Sequence, residues 1–191
     1  MRTVGLGTVF LLVILALSSM IVAPVERGPD SFPSWWRPAA VSDPPMTALE
    51  WNAPSRWMYV LVQYCAQANV PVWIAARMFS AESSRSGRAT DAEWQEDATS
   101  YVGAKGYAQI MKANLTSPLF IGFNDGKTPI DPEDPETAIR IGVRYLAYLH
   151  DMLGRWRFAI EAYNAGPARW LKGDLPGETL YYSKKIMGGQ G

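Results

Sequence analysis

The sequence predicts an all-α bundle of short helices, and three observations carry that prediction. Apolar residues between Asp134 and Gly154 recur at three- and four-residue intervals (Ala138, Ile141, Tyr145, Leu149, Met152), the period of a helix with one buried face. Prolines, capping residues and glycines punctuate the chain beyond Pro54 at helix-length spacing. No long alternating run of the kind that makes a half-buried strand is present. The expected core gathers Ile110, Ile141, Tyr145, Leu149 and Ile160 within an orthogonal arrangement of helices.

The elements follow in order. Thr3 to Val25 is an uncharged run whose apolar centre is Val9–Leu17, with Arg2 as a minimal positive flank. At about 1.5 Å per residue such a helix just spans a hydrocarbon layer of roughly 30 Å. The same features describe a long signal peptide, so residues 1–25 are expected either to anchor the chain or to be cleaved. Both outcomes put the C-terminal domain on the far side of the membrane. Residues 26–53 form a proline-rich linker, because Pro29, Pro33, Pro38, Pro44 and Pro45 remove backbone donors and interrupt helices. Trp35 and Trp36 within it suit either the membrane interface or the domain surface. Residues 54–191, about 140 in number, are enough for one domain with its own core.

Within that domain a first helix is expected after Pro54, with Ser55 as its cap and Trp57, Tyr59, Leu61 and Cys65 in a mostly apolar segment. Pro71 opens a second, carrying Val72, Trp73, Ala75, Ala76 and Phe79 up to Glu82. The polar stretch Ser83–Thr99 suggests no regular element. Gly103–Gly106 reads as a bend, followed by a short helix from about Tyr107. The clearest helix has Asp134 as cap, Pro135 at its first position and Gly154 at its end. Trp156–Ala165 forms another, stopped by Gly166–Pro167, and a last one starts near Pro176 with Tyr181, Tyr182 and Ile186.

Composition narrows the chemistry. The chain has 18 basic and 18 acidic residues, which is no nucleic-acid footprint. Cys65 is the single cysteine and reads as a buried core thiol; His150 is the single histidine and reads as a helix-surface residue. Neither supports a zinc site or a Cys–His nucleophile, so no metal and no cofactor are expected.

Four segments hold residues suited to catalysis or ligand binding. Glu82 ends an apolar helix, where burial would raise its pKa toward the range of a general acid, although a solvated helix terminus looks the same in sequence. Ser83 beside it could donate to that carboxyl group. In Gly103–Met111 two glycines allow close backbone approach, and Gln109 offers donor and acceptor to a sugar hydroxyl or acetamido group. In Glu161–Pro167, Asn164 either terminates the helix or, with Tyr163, fixes an N-acetyl group and steadies the glutamate. In Glu178–Tyr182, Tyr182 could point its hydroxyl at the same place.

In this order the segments resemble the lytic transglycosylases with a lysozyme-like catalytic domain. That family joins a helix ending in Glu-Ser, a Gly-Leu-Met-Gln motif, an Ala-Tyr-Asn-Ala-Gly motif and a late Glu-Thr-x-x-Tyr motif. Here these are Glu82–Ser83, Gly106–Tyr107–Ala108–Gln109 with its middle pair altered, Ala162–Gly166 in full, and Glu178–Thr179 with Tyr182. The resemblance spans about residues 54–188 and implies a lysozyme-like fold acting on peptidoglycan glycan strands. It implies that Glu82 protonates the bond between N-acetylmuramic acid and N-acetylglucosamine, then serves as base while the muramoyl C6 hydroxyl closes on C1. Tyr163, Asn164 and Tyr182 would orient the acetamido group or Glu82. One catalytic carboxylate then suffices, where most glycosidases need two. Two other readings remain: a lysozyme-type muramidase, with Asp91, Glu93, Glu96 or Asp97 positioning water, and a non-catalytic wall-binding or assembly module. The expected setting is the periplasmic side of the inner membrane, with the N-terminal segment as membrane partner, serving growth, an envelope-spanning apparatus or a phage.

Overall fold

The computed structural model describes residues 53–188, apart from Thr90 and Ala92. The expectations for residues 1–25 and for the linker, Trp35 and Trp36 included, lie outside the described residues. No described helix is long and apolar enough to cross a membrane.

Seven α-helices are formed among the described residues, and no strand: the extended contacts are isolated bridges, Ser84 with Trp94, Thr99 with Lys105, and Lys105 with Ile110. Helix α1 (Ser55–Ala68) begins one residue earlier than expected, so Ser55 occupies the first helical position rather than the cap. The residue before it, Pro54, has an extended backbone, and its carbonyl accepts from the Trp57 amide at 2.9 Å. Asn69, at φ 54°, ends the helix in the left-handed conformation that asparagine tolerates. Pro71 similarly precedes α2 (Val72–Ser83), and its carbonyl accepts from Ile74 and Ala75. Helix α2 buries Ile74, Ala75, Ala76, Met78 and Phe79.

The expected helix from Tyr107 does not form. Residues 105–110 make a tight turn in which Lys105 and Ile110 exchange both backbone hydrogen bonds, at 3.1 and 2.9 Å. Gly106 and Gln109 have φ of 71° and 48°, and two left-handed residues in four cannot continue a right-handed helix. Glycine is required at 106 because a Cβ there would lie 1.7 Å from the Pro132 carbonyl oxygen. A 3-10 turn (Lys112–Asn114) and a short helix α3 (Pro118–Phe123) follow.

Helix α4 (Pro135–Leu153) is the centre of the bundle and contacts α1, α3 and α5. The Asp134 side chain accepts from the Thr137 amide at 2.8 Å, and Gly154 closes the helix at φ 76°. The sequence shows one apolar face, but Ile139, Val143 and Leu146 outside it are buried as well as Ala138, Ile141 and Leu149. Its two buried arginines are held by the end of α3 and the chain after it: Arg140 donates to Asn124 Oδ1 at 2.5 Å, and Arg144 to the Phe123 carbonyl and to Asp125 at 2.7 Å. Gly142 lets Phe79 of α2 and Ala108 of the tight turn lie against α4, since a Cβ would meet the Phe79 ring at 2.7 Å.

Helix α5 (Trp156–Ala165) packs on α4 and then on α7 (Gly177–Met187), with the short α6 (Pro167–Leu171) between them in sequence. Helix α7 closes back on α2. The expected core is present: Ile110, Ile141, Leu149 and Ile160 are buried and Tyr145 packs against them. Cys65 is fully buried, and burial pushes its thiol pKa up. His150 is partly exposed and stacks on Trp156 at 3.8 Å.

Candidate active site

Glu82 is the penultimate residue of α2, where the helix leaves the core, and it is only partly exposed. One hundred residues later, α7 brings the buried Tyr182 against it, and the phenol donates to Glu82 Oε1 at 2.5 Å. One turn further along the same face, Lys185 sits with its Nζ 5.7 Å from the centre of the Tyr182 ring and donates to the Gly87 carbonyl at 2.6 Å. Lys185 therefore ties the loop leaving Glu82 to the helix that carries Tyr182.

These neighbours set the electrostatics. Burial raises the Glu82 pKa to about 7, against the opposing pull of the Tyr182 hydrogen bond and the Lys185 charge. Burial also lifts Tyr182 well above the usual phenol value, and the adjoining Glu82 carboxylate adds to the rise. The same two causes, in the same order, act on Tyr163. Burial lowers Lys185, while attraction to Glu82 opposes that shift. The result is a carboxyl group near half-protonation at neutral pH, beside phenols that stay protonated. Such a group can give a proton and take one back.

The other expected residues divide. Tyr163 reaches the site from α5, packs on Tyr145 at 5.3 Å between ring centres, and donates to the Ala108 carbonyl at 2.8 Å. Asn164, exposed at the end of α5, accepts from Thr179 Oγ1 at 2.8 Å and so links α5 to the start of α7. Ser83 turns away: its buried hydroxyl donates to the Phe79 carbonyl at 2.8 Å, one helical turn back, rather than to the Glu82 carboxyl group. Gln109 uses its amide Nε2 on the Ala98 and Gly106 carbonyls at 3.1 and 2.9 Å, so that donor holds the tight turn.

The acidic stretch after α2 has its own partners. Asp91 accepts from Ser86 Oγ at 2.7 Å and from the Glu93 amide at 2.9 Å, and the Ser86 bond is the main reason its pKa falls below the usual value. Glu96 pairs with Arg56 at 2.7 Å and accepts from Tyr107 at 3.2 Å. Glu93 is exposed, and the Asp97 backbone carbonyl accepts from Thr99 at 3.1 Å. The side chains acting on Glu82 come instead from α7.

Lys185 was not expected from the sequence, although its position three residues after Tyr182 places it on the same helical face. Glu161 was missed too. Its position four residues after Arg157 suggests a surface ion pair, yet it is buried at 3% exposure.

Residues 89–174 match the family model described as the Transglycosylase SLT domain. Over these residues the chain is similar to the SLT transglycosylase family. Its relatives include the soluble lytic murein transglycosylase of Escherichia coli K12, 31% identical over 145 residues, covering 72% of this chain and 21% of that protein. The protein of that name from Salmonella typhimurium is 40% identical over 86 residues, covering 42% of this chain and 13% of its own. The crystal structure of the 70 kDa soluble lytic transglycosylase from E. coli superposes with a TM-score of 0.56 at 28% identity, covering 69% of this chain and 23% of that one. The chain thus spans about a fifth or less of the length of the curated relatives it matches. The matched SLT segment contains Gln109, Tyr163 and Asn164, whereas Glu82, Ser83, Tyr182 and Lys185 flank it in sequence.

Proposed function

We propose that this chain is a peptidoglycan lytic transglycosylase built on a lysozyme-like bundle, with Glu82 as both acid and base. The hydrogen bond from Tyr182 to Glu82, whose pKa burial raises to about 7, carries the proposal. Kinship with soluble lytic murein transglycosylases supports the substrate, the glycan strands of peptidoglycan.

The cycle follows from the surroundings of one carboxyl group. Tyr182 occupies Oε1, which leaves Oε2 to carry the mobile proton. Neutral Glu82 protonates the β-1,4 oxygen between N-acetylmuramic acid and N-acetylglucosamine, and the C1–O bond breaks through an oxocarbenium-like state. The resulting carboxylate is stabilised by the Tyr182 hydroxyl and the Lys185 charge, both of which favour the ionised form. It then takes the C6 hydroxyl proton as O6 bonds to C1, giving a 1,6-anhydro end and restoring the neutral acid. No water enters the bond-breaking balance. Tyr163 and Asn164, at the end of α5, are the supporting groups for the muramoyl acetamido group.

We place the reaction at the cell envelope, on the periplasmic side, with residues 1–25 as anchor or export signal, 26–53 as tether and 54–191 as the lytic domain. Local wall opening for growth, an envelope-spanning apparatus or a phage suits that layout. The test is release of soluble glycan fragments from purified peptidoglycan by the full chain and by Glu82→Gln. Release by the native chain and a loss of about a thousandfold or more in the variant is expected for a group that acts as both acid and base. No release from a folded native chain would favour a binding or assembly module.

A further inference from the structure

We propose that Glu161 is a positioning residue: its buried carboxylate locks α7 in the register that keeps Tyr182 on Glu82. The proposal rests on the reading of Glu82 as acid and base, which gives that register its purpose.

Three elements converge on this one side chain. Arg157 Nε, one turn earlier on α5, donates to Oε1 at 3.0 Å; Trp170 Nε1 of α6 donates to Oε2 at 3.1 Å; Ser183 Oγ of α7 donates to Oε1 at 3.2 Å. Arg157 is half exposed, whereas Ser183 is buried with Glu161. A buried carboxylate deprived of a donor loses stabilisation that water cannot replace there, so the elements supplying the donors are held where they meet it. Ser183 immediately follows Tyr182, and Glu161 lies two residues before Tyr163. A slide of α7 by a fraction of its roughly 1.5 Å rise would stretch the Ser183 and Tyr182 bonds together. The remaining ties on α7, from Thr179 to Asn164, Arg77 to the Ile186 carbonyl and Lys185 to Gly87, brace other points along the helix. Glu161 braces the residue next to the site.

The decisive property is the sign of the effect on Glu82. Removing the Glu161 charge would by simple electrostatics lower the Glu82 pKa, because a like charge is withdrawn. Loosening α7 would raise it, because the Tyr182 bond and the Lys185 charge both hold it down. The experiment is carbon-13 NMR titration of Glu82 in the full chain without substrate, its signal assigned by its loss in Glu82→Gln. In Glu161→Gln the Glu82 pKa should rise by about half a unit or more, and the rise it causes in a Tyr182→Phe background should be clearly smaller, because only the Lys185 contribution is left to lose. Ser183→Ala, which removes only the α7 donor, should shift it in the same direction and decides the matter if Glu161→Gln does not fold. An unchanged or lowered pKa in the folded variant, or shifts that simply add, would overturn the proposal. Because the readout needs no turnover, it is independent of whether the chain cleaves peptidoglycan.

Discussion

A carboxyl group whose pKa is raised by burial should leave a mark on stability, and Glu82→Gln is the perturbation that reveals it. The native pKa of about 7 exceeds the ordinary 4.5, because burial penalises the charged form. Below pH 4.5 Glu82 is neutral in both folded and unfolded chains. Between pH 4.5 and 7 the unfolded chain loses its proton while the folded one keeps it, so stability falls as pH rises through the folded pKa. The gap of about 2.5 units corresponds to about 3 kcal/mol. Glutamine at 82 is close in shape to the neutral acid, still accepts from Tyr182, and has no charge to desolvate. The two proteins should therefore be nearly equal in stability at pH 4. The variant should gain progressively, reaching about 3 kcal/mol by pH 8.5, or roughly 10 °C in Tm for a domain of this size. Urea and thermal unfolding of both proteins across that range measure the difference, in which the titration of every other carboxylate cancels. A difference that stays constant with pH, or that favours the native protein at high pH, would refute the claim that burial dominates at Glu82.

Other substitutions probe neighbouring parts of the account. Tyr182→Phe removes a hydrogen bond to a charged group worth about 1.5–3 kcal/mol, so the Glu82 pKa should rise by about one to two units, moving the alkaline limb of the pH–rate profile upward. Gly106→Ala should cost more than about 3 kcal/mol in urea unfolding, since it adds a backbone clash at 1.7 Å to a left-handed φ of 71°. Asp91→Asn and Glu96→Gln should leave the rate of glycan release within about threefold of native, because both side chains serve the loop; a thousandfold loss in either would restore a two-carboxylate hydrolase.

The sequence was readable where local chemistry decides the outcome. Asp134, Pro135 and Gly154 delimit α4 by capping and backbone conformation alone, and Gly166–Pro167 ends α5 in the same way. Reading failed where distant packing decides. Gly106 and Gln109 turn the chain at positive φ, and nothing about an apolar stretch containing one glutamine announces that conformation. Helix α4 shows one apolar face but is buried beyond it, because its arginines find partners in the chain after α3. Glu82 and Tyr182 are one hundred residues apart, so their pairing was legible only through the resemblance to a family with that motif order. The inward turn of Ser83 and the burial of Glu161 were hidden for a related reason. A serine beside a glutamate suggests a mutual bond, and an Arg157–Glu161 spacing suggests the surface, until α6 and α7 are in place.

The central claim is that the bond is broken without water, by one carboxyl group acting twice. Its most direct test is to let the full chain digest purified peptidoglycan in oxygen-18 water and to weigh the released muropeptides. Intramolecular closure predicts 1,6-anhydro ends of unlabelled mass, absent from the Glu82→Gln digest. Reducing ends carrying one oxygen-18 atom would show that water attacks C1, and would contradict it.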